Sequence, residues 1–263
     1  MPFLSILDLH LELDTAEGIQ QILCGVSLEI DKGDSFGLIG KSGSGKSILA
    51  QAIMQLLPRG ARITKGKISF DGECIHSKTP QEMRFIRGKR IGMIFQDPMR
   101  SLNPTMRVGL QIGETLRFHN RLSPTQARTR TLDLLHLVGI ADPVKTYDAY
   151  PFELSGGMCQ RVTIAMTLAA EPQLLIADEP TTALDATVQG QILDLLKEIR
   201  RELGMTLLLI THDLGVIASA CEHVGVMQKG VIIEKATVNN LFYSPQHPYT
   251  KELFASQAGY LQR

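Results

Sequence analysis

The sequence lacks the features of a membrane-spanning or secreted protein. No apolar run approaches the about 18 residues that a transmembrane helix needs. The beginning, Met1-Pro2-Phe3-Leu4, has no basic segment leading into an apolar one, so no signal peptide is predicted. The four cysteines are scattered without a C-x-x-C pair, which indicates reduced packing residues in a cytosolic protein. They are Cys24, Cys74, Cys159 and Cys221.

An excess of charge of one sign is also missing. The 27 basic and 27 acidic residues cancel, whereas a nucleic-acid partner would require clustered Lys and Arg. The seven histidines show no H-E-x-x-H or other ligand spacing, which argues against a metal enzyme. The 263 residues, 44% of them hydrophobic, suit one large domain or a core with a subdomain.

The most informative stretch is a glycine-rich turn between an apolar run, 35–39, and a periodic helix that begins near Lys46. Strand, glycine turn and helix in this order predict a phosphate loop, with converging backbone N–H groups at a helix N-terminus. Lys46 can reach the β- and γ-phosphates, and the Ser47 hydroxyl can ligate Mg²⁺. The alternative is a strand-to-helix turn without a ligand. The loop comprises Gly40, Lys41, Ser42, Gly43, Ser44, Gly45, Lys46 and Ser47.

Strand patterns surround this loop. Alternation predicts a half-buried, antiparallel first strand with its leucines on one face, a second strand at Val26 to Ile30, and a peripheral hairpin at 67–72. Fully buried strands are predicted at 35–39, 91–95, 174–177 and 206–211, and a closing hairpin at 224–234. The helix after the loop should end before Pro58. The leucines of the first strand are Leu7, Leu9, Leu11 and Leu13.

A helical texture replaces the strands between residues 97 and 153. Val108, Ile112 and Leu116 have helical spacing, and Ser123 to Gln126 forms a capping box with proline at the first helical position. The fold class predicted is α/β: a RecA-like phosphate-loop NTPase core with a mixed sheet, an N-terminal antiparallel β-subdomain and an inserted all-helical subdomain. We expect one domain, 1–263, with the core at 1–96 and 157–235, the helical subdomain at 97–156 and a tail at 236–263.

Two further motifs follow predicted strands or begin helices. Asp178 ends a buried strand, where its carboxylate can hold Mg²⁺, and Glu179 can act as general base towards the attacking water. The alternative is a solvated acidic turn. Ser155, Gly156 and Gly157 precede a helix and offer a second anion site, or simply an ordinary capped helix.

The stretch 154–160, Leu-Ser-Gly-Gly-Met-Cys-Gln, resembles the signature of ATP-binding cassette (ABC) proteins. The resemblance covers nearly the whole chain, because Gln96 precedes the signature, and Asp178-Glu179, Ala183-Leu184-Asp185 and His212 follow it, in the family's order. It implies that Gln96 contacts Mg²⁺ and the attacking water and that His212 contacts the γ-phosphate. It also implies head-to-tail pairing of two cassettes, with ATP between the phosphate loop of one and the signature of the other. Asp185 would lie at this contact.

Two residues depart from the family pattern. An aromatic residue that stacks on adenine is usual near the end of the first strand, where this chain has Leu13, so the adenine contact is left undefined. Lys41 lies within the phosphate loop, where acidic or small residues are common. It either adds charge near the phosphates or points to solvent.

The stretches 95–104 and His247-Pro248-Tyr249-Thr250 resemble the peptide and nickel importer ATPases. That resemblance implies an ATPase paired with an identical or paralogous copy, two permeases, an extracytoplasmic binding protein, and a peripheral place on the cytoplasmic face of the inner membrane. No cysteine follows Cys221, which favours a nickel-type or short peptide-type member. Phe95, Met99 and Leu102 are candidates for a permease groove, although we expect Phe95 to lie in the core.

Other functions remain as alternatives. A soluble ABC ATPase acting on ribosomes or DNA is disfavoured by the single cassette, the absence of heptads and the zero net charge. A regulatory nucleotide binder without hydrolysis is disfavoured by Glu179 and His212, and a phosphate-loop kinase would lack the signature. The transported solute is not predicted, because its selectivity resides in other chains.

Overall fold

The computed structural model of the chain describes residues 1–182 and 184–261. These residues form two compact units, Met1–Met83 with Met205–Arg263 and Arg84–Gly204. No helix within the described ranges combines the length and the hydropathy needed to cross a bilayer.

The elements alternate between strands and helices, as the sequence predicts. The strands are β1 (Leu4–Thr15), β2 (Gly18–Ile30), β3 (Ser35–Ile39), β4 (Ala61–Phe70), β5 (Glu73–Cys74), β6 (Ile91–Ile94), β7 (Leu174–Asp178), β8 (Thr206–Thr211), β9 (His223–Gln228) and β10 (Val231–Thr237). The helices are α1 (Lys46–Ile53), α2 (Pro80–Ile86), α3 (Pro98–Ser101), α4 (Val108–Asn120), α5 (Pro124–Leu137), α6 (Pro143–Asp148), α7 (Gly156–Leu168), α8 (Ala186–Leu203), α9 (Leu214–Ala220), α10 (Val238–Tyr243) and α11 (Pro248–Leu261).

The first unit contains an antiparallel sheet in the order β2-β1-β4-β5, which is the predicted β-subdomain. The buried side chains of β1 do not alternate regularly along the strand, as the sequence predicts they should. Ile6 and Leu9 are buried and Leu7 is exposed, because the register with β2 and β4 shifts at Asp8, whose φ is 47°. A β-bulge moves the side chains that follow it to the other face. The expectation that Leu7 shares the buried face of Leu9 is therefore wrong.

The first unit also holds the neighbouring strands β10-β9-β3-β8. β3 is buried throughout and pairs in parallel with β8 and β9, whereas β10 is antiparallel to β9. In the second unit β6 and β7 pair in parallel. Both parallel and antiparallel pairs occur, so the predicted mixed sheet is confirmed.

Helix α1 ends several residues before Pro58. It ends at Ile53, with Met54 as its C-cap, because Gln55 has a left-handed backbone with φ 48° and donates a side-chain hydrogen bond to the Ile75 carbonyl. The helix therefore ends before Pro58, as predicted, and Leu56, which follows it, is exposed.

The segment between β6 and β7, which the structure describes in full, contains helices and no strand, as predicted. The capping box at the start of α5 is confirmed. The Ser123 hydroxyl accepts from the Gln126 N–H at 3.3 Å, and the Gln126 side-chain carbonyl accepts from the Ser123 N–H at 3.0 Å. Ile112 and Leu116 of α4 and Leu135 of α5 are fully buried, and α4 packs against α5.

Candidate nucleotide site

The predicted phosphate loop joins β3 to α1 in the first unit. Gly43 and Gly45 have left-handed backbones, with φ of 78° and 105°, which a residue with a Cβ adopts only with strain. A Cβ on Gly40 would lie 2.2 Å from the Met227 carbonyl oxygen. The glycines therefore meet local demands of the turn, and they let it curl against β9.

Lys46 points into this turn. Its side chain is buried, with only 5% of the residue exposed, and Nζ donates to the carbonyl oxygens of Gly40 at 2.8 Å and Lys41 at 3.2 Å. The turn is also fixed from outside, because the Gly230 N–H donates to the Ser44 carbonyl at 2.9 Å. A buried ammonium at a helix N-terminus is a strong feature for binding a phosphate.

His212 follows β8 in the same unit. β8 and β3 are parallel neighbours, with Thr211 beside Ile39, so His212 and Gly40 both follow the carboxyl edge of this sheet. His212 is exposed. Asp213 has a structural role, since its carboxylate caps α9 by accepting from Gly215 N–H at 2.7 Å and Val216 N–H at 3.3 Å.

Gln96 and Glu179 meet in the second unit. They follow β6 and β7, whose register places Ile94 beside Ala177, and the Gln96 amide donates to Glu179 Oε2 at 3.0 Å. The Thr182 hydroxyl donates to the same oxygen at 2.9 Å, a contact that the sequence did not predict. Asp178 is buried, and Glu179 has a left-handed backbone with φ 48°. Strained backbone at a polar side chain is typical of functional sites.

The signature residues begin α7. The Ser155 hydroxyl accepts from the Met158 N–H at 3.3 Å, and Ser155 and Gly156 are exposed. A Cβ on Gly157 would lie 2.8 Å from Val188 Cγ1. Asp185 caps α8, accepting from the Val188 N–H at 3.0 Å, so the signature turn and the start of α8 are adjacent. Ala183, the first residue of the predicted loop, lies outside the described residues.

The two departures from the family pattern have different surroundings. Leu13 is half-buried in β1, paired with Gln20 and Ala61. Lys41 forms an ion pair with Glu252, with Nζ and Oε1 2.8 Å apart. Lys41 and the segment His247-Pro248-Tyr249 are each notable in the sequence. Their contact was not predicted, because sequence patterns extend over a few neighbouring residues and these residues lie more than two hundred positions apart.

The candidate permease groove divides into exposed and buried residues. Phe95 is 38% exposed, Met99 is exposed and Leu102 is buried. Because β6 ends at Ile94, Phe95 lies beyond the buried strand. The expectation that Phe95 belongs to the core is wrong.

Comparison with known proteins gives a consistent result. The family described as ABC transporter matches residues 23–182. The chain is 50% identical over 254 residues to the oligopeptide transport ATP-binding protein OppD of Bacillus subtilis (strain 168), covering 96% of this chain and 71% of the relative. It is 47% identical over 250 residues to the probable D,D-dipeptide transport ATP-binding protein DdpD of Escherichia coli (strain K12), covering 95% and 76%.

Solved structures show the same fold. A dimeric ATP-binding cassette, MJ0796, in a post-hydrolysis state bound to ADP and Pi, matches with a TM-score of 0.81 and 29% identity. The match covers 89% of this chain and 98% of that one. The cassette fold that the sequence predicts is thereby confirmed, and the chain belongs to the ABC transporter family.

Proposed function

We propose that this chain is the ATP-hydrolysing subunit of an ABC importer, and that ATP-driven closure of a cassette dimer powers peptide uptake through partner permeases. The observation that carries the nucleotide part is the assembled phosphate loop with the buried Lys46 ammonium at its centre. The peptide part is supported by relatives named for oligopeptide and dipeptide transport, which favour peptides over nickel as the solute.

In this proposal ATP is the substrate, and its phosphates lie in the loop from Gly40 to Ser47 at the N-terminus of α1, with Lys46 neutralising their charge. Ser47, Gln96 and Asp178 would hold Mg²⁺, which neutralises charge on the phosphates when bound. The described residues contain no cluster of three or more His, Cys, Asp or Glu side chains suited to a metal. This fits an ion held largely by nucleotide and water.

Glu179 is the proposed general base. The Gln96 amide and the Thr182 hydroxyl both contact Oε2, so they hold the carboxylate in one orientation, and a proton taken from the attacking water would pass to it. His212 is proposed to contact the γ-phosphate from the end of β8.

The proposed partner is a second cassette, identical or paralogous, bound head to tail. Ser155, Gly156 and Gly157 would then face the partner's nucleotide, because the N-terminus of α7 is exposed and binds anions by its dipole. Asp185 would lie at the same contact. We retain the predicted division into a core at 1–96 and 157–235, a helical subdomain at 97–156 and a tail at 236–263.

The permeases are proposed to dock on the exposed side chains of Phe95 and Met99, since exposed apolar groups in a polar surface mark protein contacts. The chain would then lie peripherally on the cytoplasmic face of the inner membrane and serve a solute-binding protein indirectly. No nucleic-acid partner is proposed.

The test is ATP-driven peptide uptake by the full chain assembled with its permeases and partner ATPase in proteoliposomes. Lys46→Ala should abolish ATP binding and uptake, because the loop loses its buried charge. Lys67→Ala, which changes an exposed lysine on β4, is the matched control and should behave as wild type. Unchanged nucleotide affinity in Lys46→Ala, or sedimentation with ribosomes in place of permeases, would contradict the proposal.

A further inference from the structure

The beginning of α11 is fixed firmly to the first unit. The Glu234 carboxylate on β10 accepts hydrogen bonds from the N–H groups of Gln246 at 2.8 Å and His247 at 3.0 Å. His247 Nδ1 accepts from the Tyr249 N–H at 3.1 Å. Leu253 is buried, so the first turns of the helix are held through both backbone and side chains.

Two residues of this helix reach the phosphate loop at the same place. The Tyr249 hydroxyl accepts from the Lys41 backbone N–H at 3.2 Å, and only 8% of Tyr249 is exposed. Glu252, three residues later and therefore on the same face, pairs with Lys41 Nζ at 2.8 Å. The Lys41 ammonium also lies 5.5 Å from the centroid of the Tyr249 ring.

Lys41 in turn contacts the centre of the loop. Its carbonyl oxygen accepts from Lys46 Nζ at 3.2 Å and from the Ser44 N–H at 3.2 Å. Lys41 therefore joins the tail to the centre of the loop: its N–H donates to Tyr249, and its carbonyl oxygen accepts from Lys46. Moving Lys41 would displace a partner of the Lys46 ammonium, and displacement of a binding group by about 1 Å is costly.

We propose that Tyr249 is a positioning residue for the phosphate loop, which holds the backbone at Lys41 so that the loop is preorganised for ATP. The ion pair between Lys41 and Glu252 fastens the same contact from the side-chain end. This inference rests on the proposed function, because it assigns the tail helix a part in nucleotide affinity. It also gives Lys41 a role in the loop other than contact with phosphate.

The first experiment removes only the hydroxyl. Tyr249→Phe in the full chain should raise the dissociation constant for MgATP, measured by titration calorimetry, by roughly three- to tenfold, the effect of one hydrogen bond. Tyr243→Phe is the matched control, since Tyr243 is 90% exposed on α10, and it should bind as wild type. In the assembled transporter, Tyr249→Phe should raise KM for ATP and leave kcat unchanged.

A second variant separates backbone from side-chain contacts. Lys41→Ala removes the ion pair with Glu252 and keeps the backbone N–H that Tyr249 accepts from. The effect of Tyr249→Phe should therefore persist in the Lys41→Ala background, and its disappearance there would overturn the assignment to the backbone.

The remaining outcomes are distinct. A lower thermal midpoint of nucleotide-free Tyr249→Phe with an unchanged dissociation constant would show that the tyrosine only fastens the tail, and it would overturn the inference alone. Failure of the wild type and of Tyr243→Phe to bind MgATP would overturn the proposed function as well.

Discussion

The phosphate loop and the signature turn are both glycine-rich helix beginnings, yet they are built differently. The loop is partly enclosed: Lys41, Ser42 and Gly43 are exposed, whereas Ser44, Gly45 and Lys46 are buried. Gly40 has no room for a side chain, and Gly230 and Tyr249 hold the loop's backbone from outside. The signature turn is presented outward, with Ser155 and Gly156 exposed. The cap from Ser155 to the Met158 N–H is a hydrogen bond within its own helix.

This difference indicates that the two anion sites have different roles. A loop with a buried ammonium and a backbone fixed from outside can bind a triphosphate within one chain. An exposed helix N-terminus adds affinity only when another surface brings the anion to it. The contrast supports a site that a second cassette completes, and it predicts that binding and turnover respond separately to mutation.

The largest effect is expected at Glu179. Glu179→Gln should leave MgATP affinity close to that of the wild type, because the phosphate loop is unchanged, and should lower turnover by roughly 10²–10⁴-fold through loss of the general base. Single-turnover hydrolysis by the assembled transporter measures this. Glu198→Gln, on the exposed side of α8, serves as control. Near-normal turnover in Glu179→Gln would remove the residue from this role.

A smaller effect is expected at Gly157. The added methyl of Gly157→Ala would come within 2.8 Å of Val188 Cγ1 and shift the signature turn, so ATPase activity of the assembled complex should fall roughly tenfold or more. MgATP affinity of the single chain should not change. Gly190→Ala is the matched control in α8, because a Cβ there meets nothing within 4 Å. Equal activities of the two variants would contradict a role for the signature geometry.

Local patterns predicted the parts of the structure that depend on nearby residues. The bounds of β3 and β8 are as predicted, and the capping box at Ser123 is present, because burial and capping are written within a few residues. Apart from the hydrogen bond that the Thr182 hydroxyl donates to Glu179, the contacts that the sequence did not predict are long-range. The register shifts at Asp8 occur in the pairing of β1 with both β2 and β4, and Tyr249 and Glu252 lie more than two hundred positions after Lys41.

The same limit applies to the candidate site. The order of the motifs predicts that Gln96 and Glu179 belong to the site. It does not predict their hydrogen bond, because that bond depends on the pairing of β6 with β7. Phe95 was assigned to the core because apolar runs predict buried strands, yet β6 ends one residue earlier. A hydrophobicity pattern does not mark the point at which a strand leaves its sheet.

Next in size is loss of the Ser155 cap. Ser155→Ala and Ser123→Ala each remove a side-chain cap of the same kind, and each should lower the free energy of unfolding by about 1 kcal/mol. Chemical denaturation measures this. Only Ser155→Ala should also lower ATPase activity of the assembled complex, because only this hydroxyl lies at the proposed dimer contact. Equal ATPase activities of Ser155→Ala and Ser123→Ala would show that Ser155 acts only as a helix cap.

The smallest effect is expected from a change of pH, and it concerns Glu234, which holds the tail helix that contacts the phosphate loop. Burial alone would raise the pKa of Glu234, but the Gln246 N–H, the Thr250 side chain and the His247 N–H together outweigh it and hold the pKa below its ordinary value of 4.5. A lowered pKa stabilises the folded protein above about pH 4.5, and this contribution is lost as the pH falls through the folded pKa.

The carboxylate of Glu234 should therefore stabilise the docked tail by about 1 kcal/mol or less at pH 7. Glu234→Gln should lower the free energy of unfolding at pH 7, and the difference from wild type should shrink as the pH falls below about 4.5. Glu17→Gln, an exposed change in the same unit, should show neither trend. A constant difference at all pH values would mean that the shape of Glu234, and not its charge, fixes the tail that holds the phosphate loop.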